Sequence, residues 1–479
     1  MTEFSEIPPE GSSQTSSKLR GNLGTFQIAL LVIAAAAPLG AVVSAAPIGF
    51  MVGNGPGLAG TFLIAGLLMV CFSIGYGELI RAIPGAGAFY NYLTVVFGVK
   101  IGAGAAWVAL VSYLAIAISL ATVTGYFTDL TMQSLGINLG WELWTVLVIT
   151  SVAFLGRANI DFAAKILVPL VLAEFFMLLL LGIFILMDSG VTALPIQAIS
   201  VSTIASPGLG VGLMIALAAF LGIESAALYA MEAKRPEKSI PNATRLAVAL
   251  VAVAYFVIIW LIVGNIGIDT IKDEATTAQG ELIINLFAKH LGGGVATIVS
   301  IMLCASNFAC FLSLHNAATR YVHVLSQDKH LPKILSNTHV HKHSPANASL
   351  LVTILVAVCI AVPAALGYDP FVFLFPVALA LGTIGLIGLQ AFVSLAVIVH
   401  FKKTSDRRYL KTLVSPALAL VGLGIAVYLI FENYGLLTGS ESVWINGSPL
   451  LLIVLFFYGA IKGVDRKICI KTFETKHVG

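Results

Sequence analysis

Twelve apolar runs, each long enough to cross a bilayer as a helix, decide what this chain can fold into. They lie near residues 25–50, 57–82, 98–128, 141–156, 164–187, 210–232, 243–267, 293–325, 349–366, 370–400, 413–433 and 446–463. A span needs about 20 apolar residues. In hydrocarbon each backbone N–H and C=O must be satisfied internally, so runs of this length and continuity read as helices. Composition agrees: 58% of the 479 residues are hydrophobic and 10% are charged, where a soluble domain carries about 25% charged residues. The expected fold class is an all-α, multi-pass integral membrane protein with twelve transmembrane helices.

The cations test the count. With the N-terminus inside, all of the 26 lysines and arginines fall in interior tails and loops except Lys272 and Lys289. This asymmetry obeys the positive-inside rule and places both termini in the cytoplasm of a plasma or inner membrane. Residues 1–20, rich in Ser, Pro and Glu, read as a disordered cytoplasmic tail, and 466–479 as a second tail. The first apolar run is too long for a cleavable signal peptide. The five cysteines are scattered, without disulfide or metal spacing. His339-Val340-His341-Lys342-His343 would suit a metal only if extended; the bland reading is a basic loop. Of the sequons at Asn242, Asn347 and Asn446, the first two fall inside, where glycosylation does not occur.

Two spans are internally broken. In the sixth, Phe220-Leu221-Gly222-Ile223-Glu224-Ser225 places a glycine and a carboxylate in an apolar run. A charge at the bilayer centre costs about 2.5–3.5 kcal/mol on insertion scales, so Glu224 marks a functional position. In the first, Pro38 removes a backbone donor within Ala37-Pro38-Leu39-Gly40-Ala41-Val42. Pro38 alone would be a simple kink. The two breaks, however, sit five spans apart, at corresponding positions of two five-helix halves. Such pairs point to an inverted repeat with a solute site between them. The expected organisation is a first repeat over 21–190, a second over 205–403, and two further helices over 410–465.

Several motifs carry a family resemblance. Glu78-Leu79, followed by Pro84-Gly85-Ala86-Gly87 and Tyr90, resembles the signature after the second helix of amino acid–polyamine–organocation permeases. Phe220–Ser225 followed by Lys234-Arg235-Pro236-Glu237-Lys238-Ser239-Ile240-Pro241-Asn242-Ala243 is similar to that family's sixth helix and next loop. His315-Asn316-Ala317-Ala318-Thr319-Arg320, then Gln327-Asp328, Leu331-Pro332 and Ser344-Pro345-Ala346-Asn347-Ala348, resembles its eighth helix and the approach to the ninth. The resemblance covers residues 20–435. It implies a LeuT-like fold of two inverted five-helix repeats plus two helices. It implies secondary transport of amino acids by alternating access, with protons as the expected coupling ion because an acid stands at the coupling position.

The resemblance assigns Ala37, Pro38, Gly40, Ala41, Val42, Phe220, Gly222, Glu224 and Ser225 to substrate binding. Freed amides near Gly40 would take a carboxylate, Glu224 an ammonium, and Phe220 would close the site from outside. Glu174, in the fifth span, and Ser313 are assigned to ion or proton coupling; Glu174 falls where several relatives carry lysine. A neutral glutamate that ties spans together is its bland reading. One departure from the family is Ala37–Ala41 in place of a Gly-Ser-Gly-like turn. Polyamine or monoamine transport, or exchange, is therefore the alternative. Polar residues of span 3, including Ser112, Tyr113, Ser119, Thr122 and Thr124, would line a path or simply bond neighbouring helices. In span 8, Ser306 and Ser313 share a face, and His315 reads as a packing hydrogen-bonder. The loop 268–292 is a cap over the outer mouth or a plain linker. No phosphate loop, nucleophile elbow or zinc helix motif appears, so neither an enzyme nor an ATP-driven pump is expected, and no cofactor. Small-molecule substrate, protons and the lipid bilayer are the expected partners, with no nucleic acid. A channel or sensor is the reading from another class: a channel needs no paired breaks, and a sensor needs a signalling domain.

Overall fold

The computed structural model describes residues 23–83, 89–155, 160–226, 233–336, 345–404 and 408–463. Among these the chain is helical throughout, with one isolated bridge, Leu23 to Ala233, in place of any sheet. Ten helical segments are long and apolar enough to cross a membrane, and Trp141–Leu155 and Leu450–Lys462 are shorter apolar helices. The expected tails, Pro84–Ala88, the His339–His343 cluster and residues 227–232 of the sixth span lie outside the described residues.

The order begins with α1 (Thr25–Ala35), a π-helical turn at Gly40–Ala45, and α2 (Ala46–Met51). Then come α3 (Leu58–Ala82), α4 (Phe89–Phe97), α5 (Val99–Ser134), α6 (Trp141–Leu155) and α7 (Ile160–Ser189). The short α8 (Val201–Ile204) precedes α9 (Leu209–Ala218) and α10 (Pro236–Ile266). The loop expected at 268–292 is two helices, α11 (Ile271–Ala278) and α12 (Leu282–Leu291), and α11 packs against α2. The rest comprises α13 (Gly293–Gln327), α14 (Ala346–Ala365), α15 (Phe375–Lys403), α16 (Ser415–Glu432), α17 (Tyr434–Thr438), α18 (Val443–Asn446) and α19 (Leu450–Lys462).

Burial follows the bilayer rather than water. Large apolar residues fill the interior, and others, such as Leu67, Phe154, Val253 and Tyr428, face outward. An outward apolar face is stable against lipid tails, so hydrophobicity does not hold helices together here; close packing and interhelical hydrogen bonds do. Glycines allow that packing: a Cβ on Gly125 would overlap Thr145 of α6, and one on Gly382 would meet Ser112 of α5. The polar residues of span 3 largely fit the bland reading. Ser112, Thr122 and Thr124 donate to carbonyls one turn back, and Ser119 donates to the Phe375 carbonyl of α15 (2.9 Å). His315 Nε2 pairs with Thr353 Oγ1 at 3.1 Å, joining α13 to α14.

Candidate functional site

Both expected breaks are present, and they meet. The first follows Ala35. A residue before proline is pushed out of the right-handed helical region, and Ala37 takes a left-handed φ of 45°. Pro38 then starts the new helical stretch, where its missing N–H costs nothing. The second break is a tight turn over Ala219–Gly222, with Phe220 N–H and Leu221 N–H donating to Leu217 and Ala218 carbonyls at 3.0 Å each. Gly222 has φ 97°. Its Cα lies so near the first break that an added Cβ would stand 2.7 Å from the Ala35 carbonyl oxygen. Glycine at 222 is thus required twice, by conformation and by contact.

Gly40 has a different task from the one expected. It lies inside the π-helical turn rather than at the left-handed residue. An added Cβ there would overlap Asn307 Oδ1 of α13. Gly40 makes room for the Asn307 amide, whose Nδ2 donates to Ser44 Oγ at 3.1 Å. The break itself is opened by Ala37 and Pro38.

A cavity of about 60 Å³ lies between the breaks, room for a few waters. One wall is the chain at Ala35–Ala37, Gly40–Ala41 and Ser44–Ala45, with Ala218, Ala219 and Leu221 from the second break. The opposite wall is apolar: Ile116, Leu120 and Val123 of α5, Leu314 of α13, and Phe375 and Leu379 near the start of α15. Asn307 and Cys310 complete it. Of the residues assigned to substrate from sequence, Ala37, Gly40 and Ala41 line the cavity. Pro38 and Val42 are buried beside it, and Gly222, Glu224 and Ser225 lie outside its lining. Phe220 does not face it either. Its ring is fully buried, edge-on to Tyr255 of α10 at 5.9 Å, and it reaches toward Gly66 of α3.

The two carboxylates each hold one break. Glu174 of α7 is fully buried and its Oε2 accepts the N–H of Leu39 at 3.2 Å. Glu224 is half-buried; its Oε2 accepts the Gly222 N–H at 3.0 Å and its Oε1 the Tyr113 hydroxyl at 2.9 Å. An interrupted helix leaves N–H groups without intrahelical partners, and here acids take one from each break. Ser313 is not at this site. It is exposed on α13, and Ser306 stands beside Glu174 instead. The two share a helix face, but neighbouring helices cross α13 at an angle, so a face covered at 306 is open seven residues later.

Another buried acid lies at the far end of α3. Glu78 accepts Arg81 (3.0 Å) and Arg245 (2.8 Å) at Oε1 and Arg408 (2.8 Å) at Oε2, tying α3 to α10 and to the segment before α16. In the sequence Glu78 is a motif residue with no partner in sight. Tyr113 stood only among the polar residues of span 3, and nothing in a linear pattern pairs Asn307 with Gly40.

No group of three or more His, Cys, Asp or Glu side chains able to hold a metal occurs among the described residues. Cys71, Cys304, Cys310 and Cys359 are free thiols.

The fold is that of a membrane transporter. A mutant of the manganese transporter of Eremococcus coleocola superposes with a TM-score of 0.58 over 96% of this chain and 97% of that one, at 15% identity. At that identity the likeness concerns the fold alone. The sequence profile described as "Amino acid permease" matches residues 23–457, and the chain belongs to that family. The branched-chain amino acid permease BcaP of Lactococcus lactis is 25% identical over 342 residues, 67% of this chain and 70% of the relative. The methylthioribose transporter of Bacillus subtilis is 24% identical over 471 residues, 93% of this chain and 95% of the relative. The chain is therefore a multi-pass membrane permease of a family that transports amino acids.

Proposed function

We propose that the chain is a secondary transporter that imports an amino acid together with a proton, by alternating access around the two broken helices. The observation that carries this reading is the meeting of the breaks: Gly222 packs on the Ala35 carbonyl, and backbone of both breaks lines one cavity. Irregular backbone at membrane depth is tolerated where it lines a cavity or lies inside protein, and it is the usual form of a transport site. Twelve spans, two inverted five-helix repeats with the α16 and α19 helices added, and cytoplasmic termini are the organisation proposed with it. The ten long spans, the two short apolar helices and the distribution of cations support that organisation.

Glu174 carries the proton. Among the described residues it is an acid with no basic neighbour, bonded to the amide of Leu39 inside the first break. When the carboxyl is protonated its hold on that amide weakens, and the freed N–H becomes available to a substrate carboxylate. Proton and substrate then favour each other's binding, which is the linkage a symporter needs. Glu224, with Tyr113, holds the second break in its open form. The test is uptake in proteoliposomes under an inward proton gradient. Glu174→Gln should abolish gradient-driven accumulation and leave counterflow exchange; accumulation that survives the substitution removes Glu174 from coupling.

A further inference from the structure

The walls of the cavity define the charge of the solute, a step that rests on the transport reading and narrows it. None of the residues lining the cavity is ionisable as a carboxylate, ammonium, guanidinium or imidazole. Neither Glu174 nor Glu224 belongs to the lining: Glu174 turns Oε2 onto the Leu39 amide, and Glu224 binds the Gly222 amide and the Tyr113 hydroxyl. The polar side chains that do reach the cavity are Ser44, Asn307 and Cys310. Cys310 donates to the Ala35 carbonyl (3.4 Å). Asn307 commits its Nδ2 to Ser44 and is 1% exposed. Its Oδ1 lies over Gly40, and both residues line the cavity.

A net charge moved from water into such a space carries a large desolvation cost that only an opposite charge offsets. A zwitterion brings its own counter-charge. It needs neutral donors for its carboxylate and neutral acceptors for its ammonium: Asn307 Oδ1 is such an acceptor, and the Leu39 amide, released when Glu174 takes up its proton, is such a donor. The rest of the wall, formed by Ile116, Leu120, Val123, Leu314, Phe375 and Leu379, suits an apolar side chain.

We infer that the solute is an α-amino acid of zero net charge with an apolar side chain, and that Asn307 is the residue that sets this selectivity by offering a neutral acceptor where a carboxylate would admit cations. Diamines, polyamines, lysine and glutamate are then poor solutes, because each leaves an uncompensated charge in the cavity. Gly40 belongs to the same device, since any side chain at that position displaces the amide.

The experiment is inhibition of labelled valine uptake in proteoliposomes by a panel: valine, leucine, valinamide, lysine, glutamate, putrescine and methylthioribose. In the wild type, valine and leucine should inhibit at concentrations at least tenfold below those of the four charged solutes. Methylthioribose should inhibit as weakly as they do, because it has no zwitterion. Asn307→Asp should reverse the order for cations, with lysine or valinamide gaining at least tenfold relative to valine. Direct uptake of labelled putrescine as good as that of valine, or a valine-to-lysine ratio left unchanged by Asn307→Asp in protein that still transports valine, overturns the inference and leaves transport standing. The wild-type panel stands on its own if the variant fails to fold. A wild type that takes up no amino acid or amine overturns the transport reading and this inference together.

Discussion

Gly222→Ala strikes the contact on which the site depends, and its cost can be worked from the structure. The backbone at 222 has φ 97°, a conformation that costs an L-residue about 1–2 kcal/mol. The added Cβ would stand 2.7 Å from the Ala35 oxygen and 2.9 Å from its carbonyl carbon. Both atoms are backbone, so relief requires the two breaks to separate by several tenths of an ångström. Overpacking of this kind costs about 1–3 kcal/mol. The sum, about 2–5 kcal/mol, shifts the equilibrium away from the observed packing by roughly thirtyfold or more, at 1.36 kcal/mol per factor of ten. The assay is uptake in proteoliposomes normalised to inserted protein, with thermal stability in detergent measured alongside. Gly388→Ala is the control, because a Cβ there meets nothing within 4 Å. Uptake should fall at least tenfold in Gly222→Ala and stay at the wild-type level in Gly388→Ala. Wild-type uptake and stability in Gly222→Ala would refute the close packing of the two breaks.

Other substitutions probe separate parts of the molecule. Glu78→Gln removes the carboxylate shared by Arg81, Arg245 and Arg408. Breaking a buried pair costs about 3–5 kcal/mol, and solvent screening of the half-exposed Arg408 puts this case at the low end, so a clear drop in thermal stability is expected; an unchanged melting temperature would show the cluster to be inert. Gly40→Ala pushes against a side-chain atom, Asn307 Oδ1, so it should insert normally and weaken valine uptake more than it lowers stability. His330, beyond the end of α13, accepts a hydrogen bond from Trp107 Nε1 at 3.4 Å through Nδ1. Burial first, and then Lys462, hold its pKa below the ordinary 6.5 against the opposing pull of Asp328. The folded state thus binds fewer protons than the unfolded one, and stability falls as pH drops below 6.5. His330→Gln keeps an acceptor and cannot titrate; the wild type should lose melting temperature relative to it between pH 7 and 5, and parallel curves would remove the role.

The structure also explains which parts of the site a linear reading finds. Pro38 and Gly222 announce their breaks because each acts locally: one lacks a donor and constrains the residue before it, and the other alone tolerates the positive φ. Glu174 and Glu224 stand out because a carboxylate in an apolar run is costly wherever it ends up. Phe220 and Ser313 lie away from the cavity and from Glu174, and their placement depends on which neighbour faces them. Phe220 turns toward Tyr255, and Ser313 is exposed on α13. Helix α4, nine residues of mixed polarity at Phe89–Phe97, was missed because it is too short for a span and carries no strong cap signal.

By itself, the sequence determined that the chain is helical, lies in a membrane and breaks two of its helices. Those properties follow from hydropathy, backbone chemistry and charge asymmetry, all of which act over a few residues or on each loop as a whole. Only the tertiary structure decided which groups the breaks present to one another. It turned both acids onto backbone amides, brought Asn307 over Gly40 from more than 250 residues away, and left a cavity without a charged wall. Such pairings depend on how helices cross, and in a bilayer that is settled by close packing and hydrogen bonding between distant segments rather than by hydrophobicity.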